Sequence, residues 1–150
     1  MEQKPTAILL VDDRPANLIA LEAVLSPLGR RLVKATSGRE ALRFLLYEEC
    51  ALILLDVQMP DLDGFETAAL IRERQRTRHI PIIFVTAVHN EEEQIIRGYS
   101  LGAVDYIIKP FNADALLAKV RMSLDQQGLQ RNVALKAQET ARLGGSHRGA

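Results

Sequence analysis

Five short apolar runs punctuate the chain: Ala7–Val11, Arg31–Ala35, Leu52–Leu55, Pro81–Val85 and Val104–Ile108. The first, third and fourth are almost wholly apolar, which is how strands buried on both faces of a parallel sheet read. Helical patterns lie between and after them. Leu18, Leu21, Leu25 and Leu28 recur at three- and four-residue spacing, with Pro15 suited to the first turn and Gly29 to the end. Ser37-Gly38-Arg39-Glu40 spells a capping box, ahead of a stripe of Ala41, Leu42, Leu45 and Leu46. A third helix is expected from Phe65 through Ala68, Ala69 and Arg72 toward Gln75, capped by Asp63. A fourth opens at Asn90 with Glu91, Glu92 and Glu93, acids that complement a helix N-terminus; it carries Ile95, Ile96 and Tyr99 and stops near Gly102. The fifth starts at Asn112 and shows Leu116, Leu117, Val120 and Leu124.

Strand–helix alternation five times over predicts an α/β fold, an open parallel sheet with helices on both faces and right-handed crossovers. In such sheets the site lies beyond the C-terminal ends of the strands. Residues 126–150 break the pattern: Leu129, Val133, Leu135 and Leu143 are sparse, and the last seven residues, Gly144 to Ala150, read as flexible. The expected division is therefore a domain over 1–125 and a helical extension or linker over 126–150.

Composition narrows the class. A chain of 150 residues, 47% hydrophobic and 25% charged, suits one soluble globular domain. Nineteen basic residues balance nineteen acidic ones, which argues against generic nucleic-acid binding. The apolar runs are too short to cross a membrane, and no secretory signal opens the chain, so a cytoplasmic location is the default. The single Cys50 cannot form an internal disulfide and is expected to be a buried small residue. Arg72, Arg74, Arg76 and Arg78 read as a solvated helix end, and His79, His89 and His147 lack metal-ligand spacing.

The chemistry sits just after the strands: Asp12 and Asp13 after the first, Asp56 after the third, Thr86 after the fourth, and Lys109 with Pro110 after the fifth. One Asp after an apolar run more often caps a helix than does chemistry. The weight lies in all of them falling at matching ends of different strands. Three carboxylates this close would raise one another's pKa, and a divalent cation removes the conflict. Hard oxygen ligands favour Mg²⁺, which uses few carboxylates plus phosphate oxygens. Asp56 could then act as nucleophile toward a phosphoryl group, with Thr86 and Lys109 offsetting the charge.

The pattern resembles the response-regulator receiver family, from about Ile8 to Leu124. The segments that carry the resemblance are Leu10-Val11-Asp12-Asp13, Leu54 to Pro60 around Asp56, Asp63-Gly64, Phe84-Val85-Thr86-Ala87, and Tyr106 to Phe111 around Lys109-Pro110. The resemblance implies a flavodoxin-like, doubly wound sheet with strand order 2-1-3-4-5. It implies that Asp12, Asp13 (most directly), Asp56 and the Gln58 backbone carbonyl hold Mg²⁺, that Asp56 accepts the phosphoryl group, and that Thr86 and Lys109 bind its oxygens. Tyr106 would follow Thr86 as a switch, Ala87 would flank the site, and Lys109-Pro110 would be a cis junction. The implied donor is a sensor histidine kinase or a phosphotransfer protein, with small acyl phosphates as substitutes. The chain would catalyse only its own phosphorylation and dephosphorylation, and would signal through the surface of the fourth helix, fifth strand and fifth helix, through which a homodimer could form.

By the same resemblance the side chains of Gln58 and Val88 flank the attacking water. Val88 cannot orient water, so slow self-dephosphorylation is expected. The Asp12-Asp13-Arg14-Pro15-Ala16-Asn17 and Val57-Gln58-Met59-Pro60 wording resembles receivers attached to hybrid kinases. Competing functions fare worse. An aspartyl-nucleophile phosphatase would need an acid–base Asp where Gln58 stands. A flavodoxin-like cofactor protein would need a phosphate-cradling loop where Asp12-Asp13 stands. A docking module that is never phosphorylated usually betrays itself by a lost site residue, and none is lost.

Overall fold

In a computed structural model, which describes residues 7–87 and 92–125, the apolar runs become β1 (Ile8–Val11), β2 (Leu32–Ala35), β3 (Leu52–Leu55), β4 (Ile82–Thr86) and β5 (Ala103–Ile108). The helices are α1 (Pro15–Leu25), α2 (Gly38–Tyr47), α3 (Gly64–Glu73), α4 (Glu92–Ser100) and α5 (113–125). All strand pairs are parallel, in the order β2-β1-β3-β4-β5, as expected of the doubly wound, flavodoxin-like class.

Strand side chains alternate between faces, so each central strand feeds two cores. Leu9 and Val11, Ile53 and Leu55, Ile82 and Phe84 pack with Ala41 and Leu45 of α2 and with Phe65, Ala68 and Ile71 of α3. The intervening Ile8 and Leu10, Leu52 and Leu54, Ile83 and Val85 pack with Leu18, Leu21 and Leu25 of α1 and with Leu116 and Val120 of α5. Most are fully buried, and each large side chain so buried stabilises by about 1.5–3 kcal/mol. Helix α4 lies against β5, where Gly98 permits close approach: a β-carbon there would stand 3.1 Å from the Phe84 ring.

Local signals mostly held, with physical exceptions. Pro15 occupies the first turn of α1, but α1 stops at Leu25 and a 3₁₀ turn over Ser26–Leu28 follows before Gly29 at φ +66°; Pro27 has no N–H to continue the helix. The Ser37 hydroxyl accepts from the Glu40 N–H at 3.0 Å, but Glu40 turns to the Thr36 N–H and hydroxyl, so only half of the expected box forms. The reciprocal box is at Asp63 and Glu66. Leu46 is half exposed rather than part of the α2 stripe, and Ile96 and Tyr99 face outward while Gly98 is buried. The fifth strand is the longest, six residues; as an edge strand of mixed burial it left a weaker apolar trace. The expected start of the fourth helix at Asn90, and the whole extension over 126–150, lie outside the described residues.

The arginine-rich end of α3 is not merely solvated. The Arg72 guanidinium donates to the carbonyls of Leu101 (2.8 Å), Arg78 (2.8 Å), Ile80 (2.8 Å) and Gly102 (3.1 Å). Burial lowers its pKa from the ordinary arginine value. Arg74 and Arg76 donate to the Leu42 and Leu46 carbonyls of α2. These cations tie the end of α3 to neighbouring turns and to α2 through backbone oxygens, a use of the five-donor guanidinium that charge spacing alone does not reveal.

Candidate functional site

The sheet register builds the site. Val11 pairs with Leu55 and Leu55 with Phe84, so the residues that follow emerge side by side. The ladder continues past the strands: the Asp12 N–H donates to Ala35 O (3.1 Å), Asp56 N–H to Val11 O (3.0 Å) and Lys109 N–H to Thr86 O (2.8 Å). Backbone hydrogen bonds thus hold Asp12, Asp56 and Lys109 at one edge of the sheet. The Lys109–Pro110 bond is cis.

Asp12 is almost wholly buried, at 1% exposure, and accepts from every side. Its Oδ1 takes the Arg14 N–H at 2.9 Å and its Oδ2 takes the Lys109 ammonium at 2.7 Å. The Asn17 side-chain amide reaches both oxygens, at 3.3 and 3.1 Å. Lys109 lies 3.8 Å from Asp56 Oδ2, within ion-pair range but beyond a hydrogen bond. Burial pushes the Asp56 carboxyl above the ordinary carboxylate range. Lys109 opposes that shift, Asp12 adds to it, and hydrogen bonds from the Thr86 hydroxyl and the Gln58 N–H oppose it.

Asp12, Asp13 and Asp56 each offer an oxygen within 4.8 Å of the others. Above them opens a cleft of about 230 Å³ lined by Asp13, Arg14, Asn17, Asp56, Gln58, Ala87 and Lys109. A concave, polar, water-accessible site with three acids, a cation and a buried hydroxyl suits a small anionic group carried in with a divalent cation. Thr86, fully buried, ends β4.

Of the residues singled out from the sequence, Asp12, Asp13, Asp56, Gln58, Thr86, Ala87 and Lys109 converge here. Tyr106 stands apart, packed against the core on the α2–α3 face: its ring lies 5.9 Å from Phe84, and its hydroxyl is shielded from solvent. Val88 lies outside the described residues. Cys50 is buried as expected, its thiol pushed up to about 12 by burial. Asn17 and Gly64 were missed as site residues. Asn17 had one usable signal, its place in the first turn of the helix that leaves Asp12. Gly64 starts α3, where a β-carbon would collide with the Asp56 carbonyl oxygen and stand 2.7 Å from Val57 Cα.

A model of the response regulator receiver domain matches residues 8–121. The chain is 38% identical over 120 residues to a probable cyclic di-GMP phosphodiesterase of Vibrio cholerae, covering 80% of this chain and 27% of that protein. It is 40% identical over 124 residues to the transcriptional regulatory protein GltR of Pseudomonas aeruginosa, covering 83% and 51%. The chain therefore spans between about a quarter and a half of the length of these curated relatives. Among solved structures, a CheY-like response regulator receiver domain protein from Methanospirillum hungatei superposes with a TM-score of 0.78 at 29% identity, covering 85% of this chain and 99% of that one.

Proposed function

The chain belongs to the response regulator receiver domain family of two-component systems, and from that premise we propose that it accepts a phosphoryl group on Asp56. The observation that carries this reading is the arrangement around that carboxylate: the Thr86 hydroxyl on it, the Lys109 ammonium 3.8 Å away, and an open cleft in front. An oxygen of Asp56 attacks phosphorus. The bond from phosphorus to the donor breaks, and its electron pair leaves on the imidazole nitrogen of a phosphohistidine or the oxygen of a small acyl phosphate. Lys109 then neutralises part of the charge carried by the new oxygens, and Thr86 donates to one of them.

The donor set fits Mg²⁺: three carboxylates with converging oxygens, and hard ligands throughout. Asp13, Asp56 and the Gln58 carbonyl would hold it, with Asp12 behind them. Bound there, it would offset carboxylate charge and polarise the phosphoryl oxygens.

The donor is a sensor histidine kinase or a phosphotransfer protein, in a cytoplasmic setting, and the chain turns over no other substrate. Movement of Thr86 toward the phosphoryl oxygens frees space into which Tyr106 turns. This biases the surface of α4, β5 and α5, where Ile96, Tyr99, Val104 and Ile108 are exposed. That surface passes the signal to a protein partner or a second copy, with no direct contact to nucleic acid or membrane. No helix of the described residues is long and apolar enough to cross a membrane. The extension over 126–150 joins the domain to whatever it controls, such as the remainder of a hybrid kinase.

The test is intact mass after incubation with Mg²⁺ and a small acyl phosphate. Gain of one phosphoryl group, dependent on Mg²⁺ and lost in Asp56→Asn, is expected. No gain, from either the acyl phosphate or a phosphohistidine donor, overturns the reading in favour of a docking module.

A further inference from the structure

Asp12 accepts four hydrogen-bond contacts from three donor groups, and only one of those donors carries charge. The Lys109 ammonium is the charged one; the Arg14 N–H and the Asn17 amide are neutral. Lys109 is held by Asp12 at 2.7 Å and stands 3.8 Å from Asp56. An ammonium has three N–H donors, and whatever Lys109 gives to a phosphoryl group on Asp56 is withdrawn from Asp12. A carboxylate at 1% exposure cannot call on water to make up the difference, and a buried charge that loses its charged donor is costly. Asn17 answers that cost. Its amide already reaches both Asp12 oxygens from the first turn of α1, a position independent of Lys109, and it lines the same cleft.

We infer that Asn17 is a positioning residue for phosphoryl transfer: it keeps Asp12 solvated by protein when Lys109 transfers from Asp12 to the phosphoryl oxygens. This rests on Asp56 being the acceptor. The covalent step is unchanged: the Asp56 oxygen–phosphorus bond forms, the bond to the donor breaks, and the leaving group takes the electron pair. Asn17 exchanges no proton and touches no reacting atom. Its effect passes through Asp12 to Lys109.

That chain of action makes the test a double-mutant cycle. The rate of mass gain with Mg²⁺ and a small acyl phosphate is measured for the wild type, for Asn17→Ala and Asn17→Leu, for Lys109→Met, and for each Asn17 variant combined with Lys109→Met. Two Asn17 replacements guard against one that fails to fold, and far-ultraviolet circular dichroism checks each. Loss of the amide is expected to slow the wild-type rate by about tenfold, the scale of one hydrogen bond to a charged group. In the Lys109→Met background, where no ammonium has to move, the same loss is expected to change the rate by less than about twofold.

Equal slowing in both backgrounds means that Asn17 only shapes the fold, and overturns the inference. So does an unchanged rate in the Asn17 variants. A wild type that gains no phosphoryl group from any donor is a different failure, of the acceptor reading itself. Titration with Mg²⁺ alone supplies the readout without activity: affinity is expected to stay within about threefold of wild type in both Asn17 variants. A collapse of Mg²⁺ affinity would instead make Asn17 a support of the cation site and overturn the assignment to Lys109.

Discussion

Gly64 lies so close to the backbone of Asp56 that no β-carbon fits between them: it would meet the Asp56 carbonyl oxygen and stand 2.7 Å from Val57 Cα. The Gly64 N–H also donates to Val57 O at 2.8 Å, so the first turn of α3 is stitched to the chain just after Asp56. Neither obstacle is a flexible side chain. Gly64→Ala must move the α3 start or the Asp56 loop, and is expected to cost about 1–3 kcal/mol in a denaturant titration. Mass gain at Asp56 should slow by more than the stability loss explains.

The raised Asp56 carboxyl gives a pH signature. Its folded pKa lies above the unfolded one, chiefly because burial disfavours the anion. Such a group stabilises the fold in its protonated form below the unfolded pKa, and that contribution is lost as pH rises through the folded pKa. Neutral Asp56→Asn is therefore expected to be more stable than the wild type at pH 7, with the advantage shrinking as pH falls toward the ordinary Asp range near 3.8. Midpoints measured across that interval in the absence of divalent cations check the sign. A gap that widens on acidification would contradict it.

Divalent cation should reverse that penalty. Binding to the folded state alone stabilises by RT ln(1 + [L]/Kd), about 2.7 kcal/mol at a hundredfold excess over Kd. Mg²⁺ should raise the wild-type Tm progressively with concentration, while Asp13→Asn and Asp56→Asn should respond far less. Thermal scans with Ca²⁺ and Na⁺ alongside separate a site from general screening.

Arg72 makes a prediction far from the site. Its guanidinium serves four carbonyls across the α3 end and the α4–β5 turn, and it stands where a β-carbon on Gly102 (φ +83°) would fall, 2.9 Å from its Nε. Arg72→Leu leaves those oxygens without their donor and is expected to cost roughly 3 kcal/mol in urea. Arg72→Lys should recover little, because an ammonium cannot span the same fork of acceptors.

The lifetime of the phosphorylated state follows from the cleft rim. Gln58 is exposed there, and its expected counterpart, Val88, is an apolar residue that cannot orient water. Purified phosphoprotein is expected to decay over minutes or longer. Decay within seconds, followed by mass or by radiolabel, would contradict the water-path assignment.

Much of this molecule was legible because the relevant signals are local. Apolar runs of four or five residues separated by helical spacing specify buried parallel strands and their covering helices. The residue type immediately after each run identifies Asp12, Asp13, Asp56, Thr86 and Lys109, since in a parallel sheet all those ends share one edge. Pro15, Ser37, Asp63 and Gly29 marked turns and caps through the conformations their own side chains favour.

What only the tertiary structure decided depends on partners far away in sequence. Arg72 looked like a solvated charge until the carbonyls 29 and 30 residues on came within its reach. Gly64 looked like one residue of a cap until the β3 exit packed against it. Above all, the sequence placed Lys109 at the site but not its allegiance. The fold brings the ammonium, 97 residues away in sequence, to 2.7 Å from Asp12 and 3.8 Å from Asp56, and that difference decides which carboxylate it neutralises. Residue type and spacing along the chain are fixed by covalent order, whereas distances of that size arise only when the cores on both faces of the sheet close.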